Sequence, residues 1–94
     1  MVIYEKESLI NQLAENLPVL RAKANLSQEE IAKVIGISRQ TYCKIENGNS
    51  KLSWSGYLSL LLYFKSNNNT EELMEKLGIH VDEIMTYLDE HIRR

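Results

Sequence analysis

Residues 27–46, SQEEIAKVIGISRQTYCKIE, decide the fold, because they encode two short helices joined by a tight turn. Ser27 and Glu30 have the spacing of a capping box, in which the serine hydroxyl and the glutamate carboxylate satisfy backbone donors reciprocally. Gly36 ends the first helix, since glycine adopts a positive φ without a steric penalty. Ser38 is expected to cap a second helix that runs to the end of the quoted stretch.

The apolar residues of this stretch indicate how the two helices pack. Ala32 is small and allows a close approach, Ile37 fills the space between the helices, and Ile45 anchors the second helix in the core. With Ile45, Thr41 and Tyr42 facing inward, a rotation of about 100° per residue puts four side chains on the outer face. These are Arg39, Gln40, Cys43 and Lys44. Taken alone, such a face is more often an ordinary solvated surface. Arginine and glutamine at the start of an exposed helix nevertheless suit the base edges of DNA.

Upstream of the quoted stretch, residues 8–24 carry an apolar stripe with helical spacing. The stripe consists of Leu9, Leu13, Leu17, Leu20 and Ala24. Pro18 interrupts it, because proline removes one backbone hydrogen bond and clashes with the preceding turn. Either one helix kinks near residues 15–17, or a new helix starts with Pro18 in its first turn.

Downstream, three more helices are predicted, and no period-two alternation indicates a strand. Ser53 is expected to cap the first of them, with Trp54 and Tyr57 in the core rather than stacked on a ligand. Thr70 is expected to cap a short helix that ends at Gly78.

The last predicted helix follows His80 and covers residues 81–92. It has an apolar stripe that is either intramolecular core or a dimer surface, and the residues leave both open. The stripe consists of Val81, Ile84, Met85, Leu88 and Ile92.

Composition excludes several classes of function for this 94-residue chain. Cys43 is the single cysteine and the two histidines are far apart, so neither a disulfide nor a metal site is expected. The longest apolar run, residues 60–64, is too short to span a membrane, and a signal peptide is not recognisable, so a cytoplasmic protein is expected. A nucleophile–base pair and a glycine-rich phosphate loop are also lacking, so we expect no catalytic residue, no cofactor and no enzyme.

The net charge of −2 is unevenly distributed. Residues 1–66 carry a charge of +2, whereas residues 67–94 carry −4. We therefore predict a DNA-binding domain over residues 1–66 and a helical extension over residues 67–94. The extension is a candidate for dimerisation or for binding a partner protein, and its acidic surface would stay away from phosphates.

Three stretches together closely resemble the Cro and lambda-repressor-like helix-turn-helix family. They are residues 25–32 (NLSQEEIA), 35–41 (IGISRQT) and 44–48 (KIENG), and the resemblance extends over roughly residues 17–65. It implies an all-α, lambda-repressor-like domain of four to five helices, to which the C-terminal helical extension is added.

The resemblance also implies roles for individual residues. Gln28 is expected to anchor a phosphate. Ser38 and Thr41 would contact phosphates or neighbouring bases, and Arg39, Gln40 and Lys44 would face the major groove. The following loop would touch the DNA backbone through Asn47, Asn49 and Lys51. Arg21 and Glu46 match a structural ion pair of the family.

Two residues depart from the family pattern. Tyr42 replaces an aliphatic core residue, so its ring is expected to tilt outward. Cys43 replaces a small polar residue and is interpreted as an inert filler rather than a redox sensor.

The resulting expectation is a repressor that binds double-stranded DNA at a palindromic operator as a homodimer. One alternative is the antitoxin of a toxin–antitoxin pair, whose acidic C-terminal part masks a basic toxin. Another is a protein–protein adaptor that has lost DNA binding.

Overall fold

The computed structural model describes residues 5–92, which form seven helices. They are α1 (Lys6–Glu15), α2 (Leu17–Lys23), α3 (Gln28–Ile35), α4 (Arg39–Glu46), α5 (Trp54–Ser66), α6 (Glu71–Lys76) and α7 (Val81–Ile92). These residues contain no strand, so the predicted all-α class is confirmed. None of the seven helices is long and apolar enough to cross a lipid bilayer.

Pro18 lies in the first turn of a new helix, which decides between the two alternatives for this region. α1 ends at Glu15, and α2 begins at Leu17 with Pro18 as its second residue. At this position the missing N–H has no intrahelical acceptor to lose, and the fixed φ of proline is already helical. The two helices together carry the apolar stripe, since Leu13, Leu17 and Leu20 are all fully buried.

The central motif has the predicted local geometry. The Glu30 N–H donates to Ser27 Oγ at 3.0 Å, and the Ser27 N–H donates to Glu30 Oε1 at 2.9 Å, which completes the capping box. This bond from the backbone of Ser27 lowers the pKa of Glu30. Gly36 has a φ of 70°, and the Ile37 N–H donates across the turn to the Ala32 carbonyl at 3.1 Å. α3 and α4 are thereby held in contact.

Thr70 does not cap a helix with its side chain, contrary to the prediction. It precedes α6, but its side chain is fully buried and its hydroxyl donates to the Phe64 carbonyl at 2.7 Å. The hydroxyl therefore satisfies an orphan carbonyl near the C-terminal end of α5 instead of an N–H group of α6. The following Gly78 has a φ of 81° and ends the short helix as expected.

A single buried cluster contains side chains from all seven helices. Phe64 of α5 is fully buried within it, and the region 67–94 contributes Met74, Ile79 and Ile84. The helical extension therefore shares its core with the helices that precede it. Tyr57 also lies in this core, as predicted, and Trp54 stacks on its ring with a centroid distance of 5.1 Å. Burial raises the pKa of Tyr57 to about 12.

The apolar stripe of α7 is divided between core and surface. Ile84 is only 1% exposed within its own chain, so of the two alternatives it belongs to the core and is not available to a dimer surface. Val81 and Leu88 are half-buried and pack against the core, whereas Met85 is 41% exposed and Ile92 is 81% exposed. Of the α7 stripe, therefore, only the outer side and the C-terminal end remain as an apolar surface.

Candidate nucleic-acid interface

The outer face of α4 is polar and accessible. Arg39 and Gln40 form its first turn and are exposed, and Lys44 is exposed one turn later. Ser38 caps the helix by accepting a hydrogen bond from the Thr41 N–H at 3.1 Å. The cap fixes the direction in which the chain enters α4, so the two adjacent side chains extend from a defined helix end.

Thr41 lies on this outer face as well, which corrects the expectation that it points inward. Tyr42 and Ile45 are the buried residues of α4, and Thr41 is exposed. The Ser38 hydroxyl donates to Thr41 Oγ1 at 2.9 Å. The buried side of α4 is therefore narrow, because it consists of only two residues, three positions apart. The three successive side chains of residues 39–41, in the first turn, face solvent.

The ring of Tyr42 is fully buried, so the expectation that it tilts outward was wrong. Its hydroxyl lies near the Glu46 carboxylate and the Arg21 guanidinium but has no hydrogen-bond partner among the described residues. Burial, together with the nearby carboxylate, raises the pKa of Tyr42 above its ordinary value. The tyrosine thus fills the core position for which the resemblance implied an aliphatic residue.

Arg21 and Glu46 form a bidentate ion pair between α2 and α4. Arg21 Nε lies 3.0 Å from Glu46 Oε2, and its second contact, from Nη2 to Oε1, is 3.1 Å. Arg21 also donates to the Leu26 carbonyl at 3.0 Å. The Glu46 side chain is only 8% exposed. Burial pushes the pKa of Glu46 upward, but the bonds from Arg21 outweigh this effect, so the pKa falls below 4.5.

Gln28 is tied into the same pair rather than extended freely from the start of α3. Its Nε2 donates to Glu46 Oε1 at 3.4 Å, a long hydrogen bond, and its Oε1 accepts from the Cys43 thiol at 3.0 Å. Cys43 is half-buried and faces α3, so its placement on the outer face was wrong. The reason is that the side of α4 next to Tyr42 packs on the first turn of α3.

The loop after α4 carries the remaining predicted contact residues, Asn47, Asn49 and Lys51, and all three are exposed. The Asn49 N–H donates to the Lys44 carbonyl at 2.8 Å, which holds the start of the loop on the end of α4. Lys51 lines a surface depression together with Asn47 and a second one together with Thr41. The loop and the outer face of α4 are therefore neighbours.

Lys51 also pairs with Glu7 of α1, at a distance of 3.4 Å between Nζ and Oε1. Both side chains are largely exposed, so this bridge is weak and is easily exchanged for another anion. Leu52, which follows, is only 3% exposed and anchors the loop in the core. The sequence carried a signal for this anchor, a single leucine between polar residues, but the prediction did not use it.

The residues described by the structure include no group of three or more histidine, cysteine, aspartate or glutamate side chains that could hold a metal ion. The chemistry that the site offers is hydrogen-bond donation from amide, hydroxyl, guanidinium and ammonium groups. Such groups bind phosphates and the acceptor-rich edges of bases.

Comparison with known proteins also indicates DNA binding. A family model described as helix-turn-helix matches residues 20–53. An uncharacterized HTH-type transcriptional regulator of Methanocaldococcus jannaschii is 33% identical over 78 residues, which are 83% of this chain and 98% of the relative. No solved structure matches the chain significantly.

Proposed function

Because the chain belongs to the Cro and lambda-repressor-like helix-turn-helix family of DNA-binding transcription regulators, we propose that it is a repressor of transcription. It binds a palindromic operator as a homodimer and blocks the promoter in doing so. Two copies place their α4 helices about 34 Å apart, which is roughly one turn of DNA, so both helices enter the major groove on the same side.

One observation carries the proposal, namely the exposed first turn of α4. Arg39 and Gln40 follow a hydrogen-bonded cap and are free to reach base edges. Arg39 pairs with guanine and Gln40 with adenine, and Lys44 contacts a base one helical turn further along α4. In the geometry of this motif, the N-terminal residues of the second helix are the ones that contact bases.

Phosphate contacts fix the protein on the duplex. Gln28 and Thr41 donate from the beginnings of α3 and α4, and Ser38 does so by exchanging its bond to Thr41 Oγ1 for one to a phosphate oxygen. The loop adds contacts from Asn47, Asn49 and Lys51. The capping box occupies the N–H groups of Ser27 and Glu30, so the first turn of α3 still has backbone donors to offer. Few cations are involved, and binding therefore depends on placed contacts more than on a broad positive field.

The region 67–94 serves as the dimerisation segment in this proposal. Met85 and Ile92 are exposed apolar side chains of α7, and a second copy would remove them from water. A twofold axis between copies matches the symmetry of a palindromic operator.

A second candidate partner is a basic protein such as a toxin. The exposed residues of α7 include the acidic side chains of Asp82 and Glu90, and such a surface attracts cations. In that case the chain would be an antitoxin that also represses its own operon.

Selection of bound duplexes from a random library tests the function directly. We expect an enriched sequence with inverted half-sites separated by about one helical turn. A single unpaired half-site would argue against the dimer, and the absence of any enriched sequence would argue against operator recognition. A neighbouring reading frame for a toxin, together with co-purification of its product, would favour the second candidate.

A further inference from the structure

We propose that Cys43 is a positioning residue for DNA binding, whose thiol holds the Gln28 carboxamide in the orientation that presents an N–H group to a backbone phosphate. This proposal rests on the proposed function of Gln28 as a phosphate contact. Cys43 itself touches no DNA in this arrangement and acts only through Gln28.

The Glu46 carboxylate decides which end of the amide lies where. Glu46 is held ionised by Arg21, since the pair lowers the pKa of its carboxyl group, and an ionised carboxylate only accepts hydrogen bonds. The amide group that faces Glu46 must therefore be the NH₂ of Gln28, as observed at 3.4 Å. The amide oxygen consequently points to the other side, where Cys43 Sγ lies at 3.0 Å.

The Cys43 thiol is the hydrogen-bond donor for the amide oxygen of Gln28. Both Cys43 and Gln28 are half-buried, so an amide oxygen without a partner is costly there. The bond to Cys43 involves no charged group and uses only the amide oxygen. Of the two N–H groups of the amide, Glu46 accepts one, and the other remains without a bond to Glu46. That N–H is the donor available to a phosphate oxygen at the beginning of α3.

An incorrectly oriented amide would oppose DNA binding. If the carboxamide rotated by half a turn, its oxygen would meet the Glu46 carboxylate and an incoming phosphate, both of which only accept hydrogen bonds. Loss of the thiol would also leave the Gln28 side chain held only by its long bond to Glu46. The thiol therefore affects binding through the conformation of Gln28 rather than through charge.

The test compares Cys43→Ala, which removes the donor, with Cys43→Ser, which keeps a hydroxyl donor at the same position. Affinity is measured by fluorescence anisotropy on the selected operator duplex and on a random-sequence duplex of equal length. We expect Cys43→Ala to weaken binding to both duplexes by the same factor, about three- to tenfold, which corresponds to one hydrogen bond. Cys43→Ser should bind within about twofold of the wild type, by the same reasoning.

A double-mutant cycle then identifies the route of the effect. Gln28→Ala should weaken binding, and Cys43→Ala should have no further effect in that background, because the positioned group is gone. Melting temperatures of all variants are measured in parallel, so that unfolded protein is not mistaken for weak binding.

Three outcomes would overturn the proposal. Equal losses for the serine and alanine variants would show that the donor is irrelevant, and additive losses in the cycle would show that Cys43 acts elsewhere. If Gln28→Ala binds like the wild type while Arg39→Ala does not, the phosphate contact is wrong although DNA recognition stands. Failure of every variant and of the wild type to bind any duplex would instead reject the proposed function.

Discussion

At the scale of single residues, Arg39 is the side chain on which base recognition depends most in the proposed function. It is exposed in the first turn of α4 and has no partner in an ion pair among the described residues. We expect Arg39→Ala to fold normally and to lose discrimination between operator and random DNA. Each bidentate contact with a guanine contributes about 1–3 kcal/mol of discrimination, and a dimer loses two.

Arg39→Lys is the matched control, because it keeps the charge and removes the planar guanidinium. It should retain affinity for random DNA and still lose discrimination. Competition binding between operator and random duplexes measures both variants. An unchanged operator preference in either one would show that Arg39 does not read bases.

The Arg21–Glu46 pair predicts a pH dependence of stability. The folded-state pKa of Glu46 lies below 4.5, so the stabilisation is complete above that pH and is lost as the pH falls through the lowered value. We expect Glu46→Gln to reduce the free energy of unfolding by about 2–4 kcal/mol at pH 7, near the range for a buried pair.

The difference between wild type and Glu46→Gln should shrink below pH 4.5, since the wild-type carboxyl group then becomes protonated. Urea unfolding at pH 7 and at a series of acidic pH values measures it. A difference that is constant with pH would mean that Glu46 contributes through packing alone.

At the scale of secondary-structure elements, the sequence predicted what is encoded within a few residues. Ser27 and Ser38 cap their helices because the donor lies three positions away in the same segment. Thr70 has the same local pattern, but the packing of α6 on α5 directs its hydroxyl to Phe64.

In the candidate site, too, the sequence predicted only what is encoded locally. The exposed positions of Arg39 and Gln40 follow from helical periodicity, whereas the contact between Cys43 and Gln28 depends on how α3 and α4 pack. Tyr42 was mispredicted for a related reason, because the space available for its ring is set by surrounding helices. Tertiary packing decides each of these contacts, and a local sequence pattern carries no information about that packing.

Thr70 connects α5 to α6 and offers a test of that connection. We expect Thr70→Val, which keeps the shape and removes the hydroxyl, to lower stability by about 1–2 kcal/mol, because the Phe64 carbonyl loses its donor. Thermal unfolding measures the change, and Thr70→Ser serves as the control that retains the hydroxyl. If the valine variant is more stable than the serine variant, the methyl group matters more than the hydrogen bond.

At the scale of the whole molecule, the proposed dimer depends on the end of α7. Ile92 is 81% exposed, so Ile92→Asp should leave the fold intact while it places a charge in the interface. We expect this variant to be monomeric at micromolar concentration and to bind the operator more weakly, with an unchanged circular dichroism spectrum. Light scattering and operator titration measure these properties.

Leu62→Asp is the comparison for this variant, since Leu62 of α5 is an exposed apolar residue of similar size at 68% exposure. It should remain dimeric. Dissociation by Leu62→Asp but not by Ile92→Asp would move the interface to α5, and a monomeric wild type would remove the proposed interface altogether.

Because all seven helices contribute to one core, the amide hydrogens of its buried residues can report on the opening of the fold. The Ile84 N–H donates to the His80 carbonyl at 3.0 Å, and its side chain is buried with those of the other helices. We expect its hydrogen to exchange slowly with deuterium, because exchange requires the buried contacts of α7 to open. If a duplex binds at α4 as proposed, it stabilises the folded state and suppresses any opening that disturbs its binding surface. Slower deuterium uptake at Ile84 in the presence of DNA would therefore show that the opening of α7 is coupled to a surface that this residue does not touch.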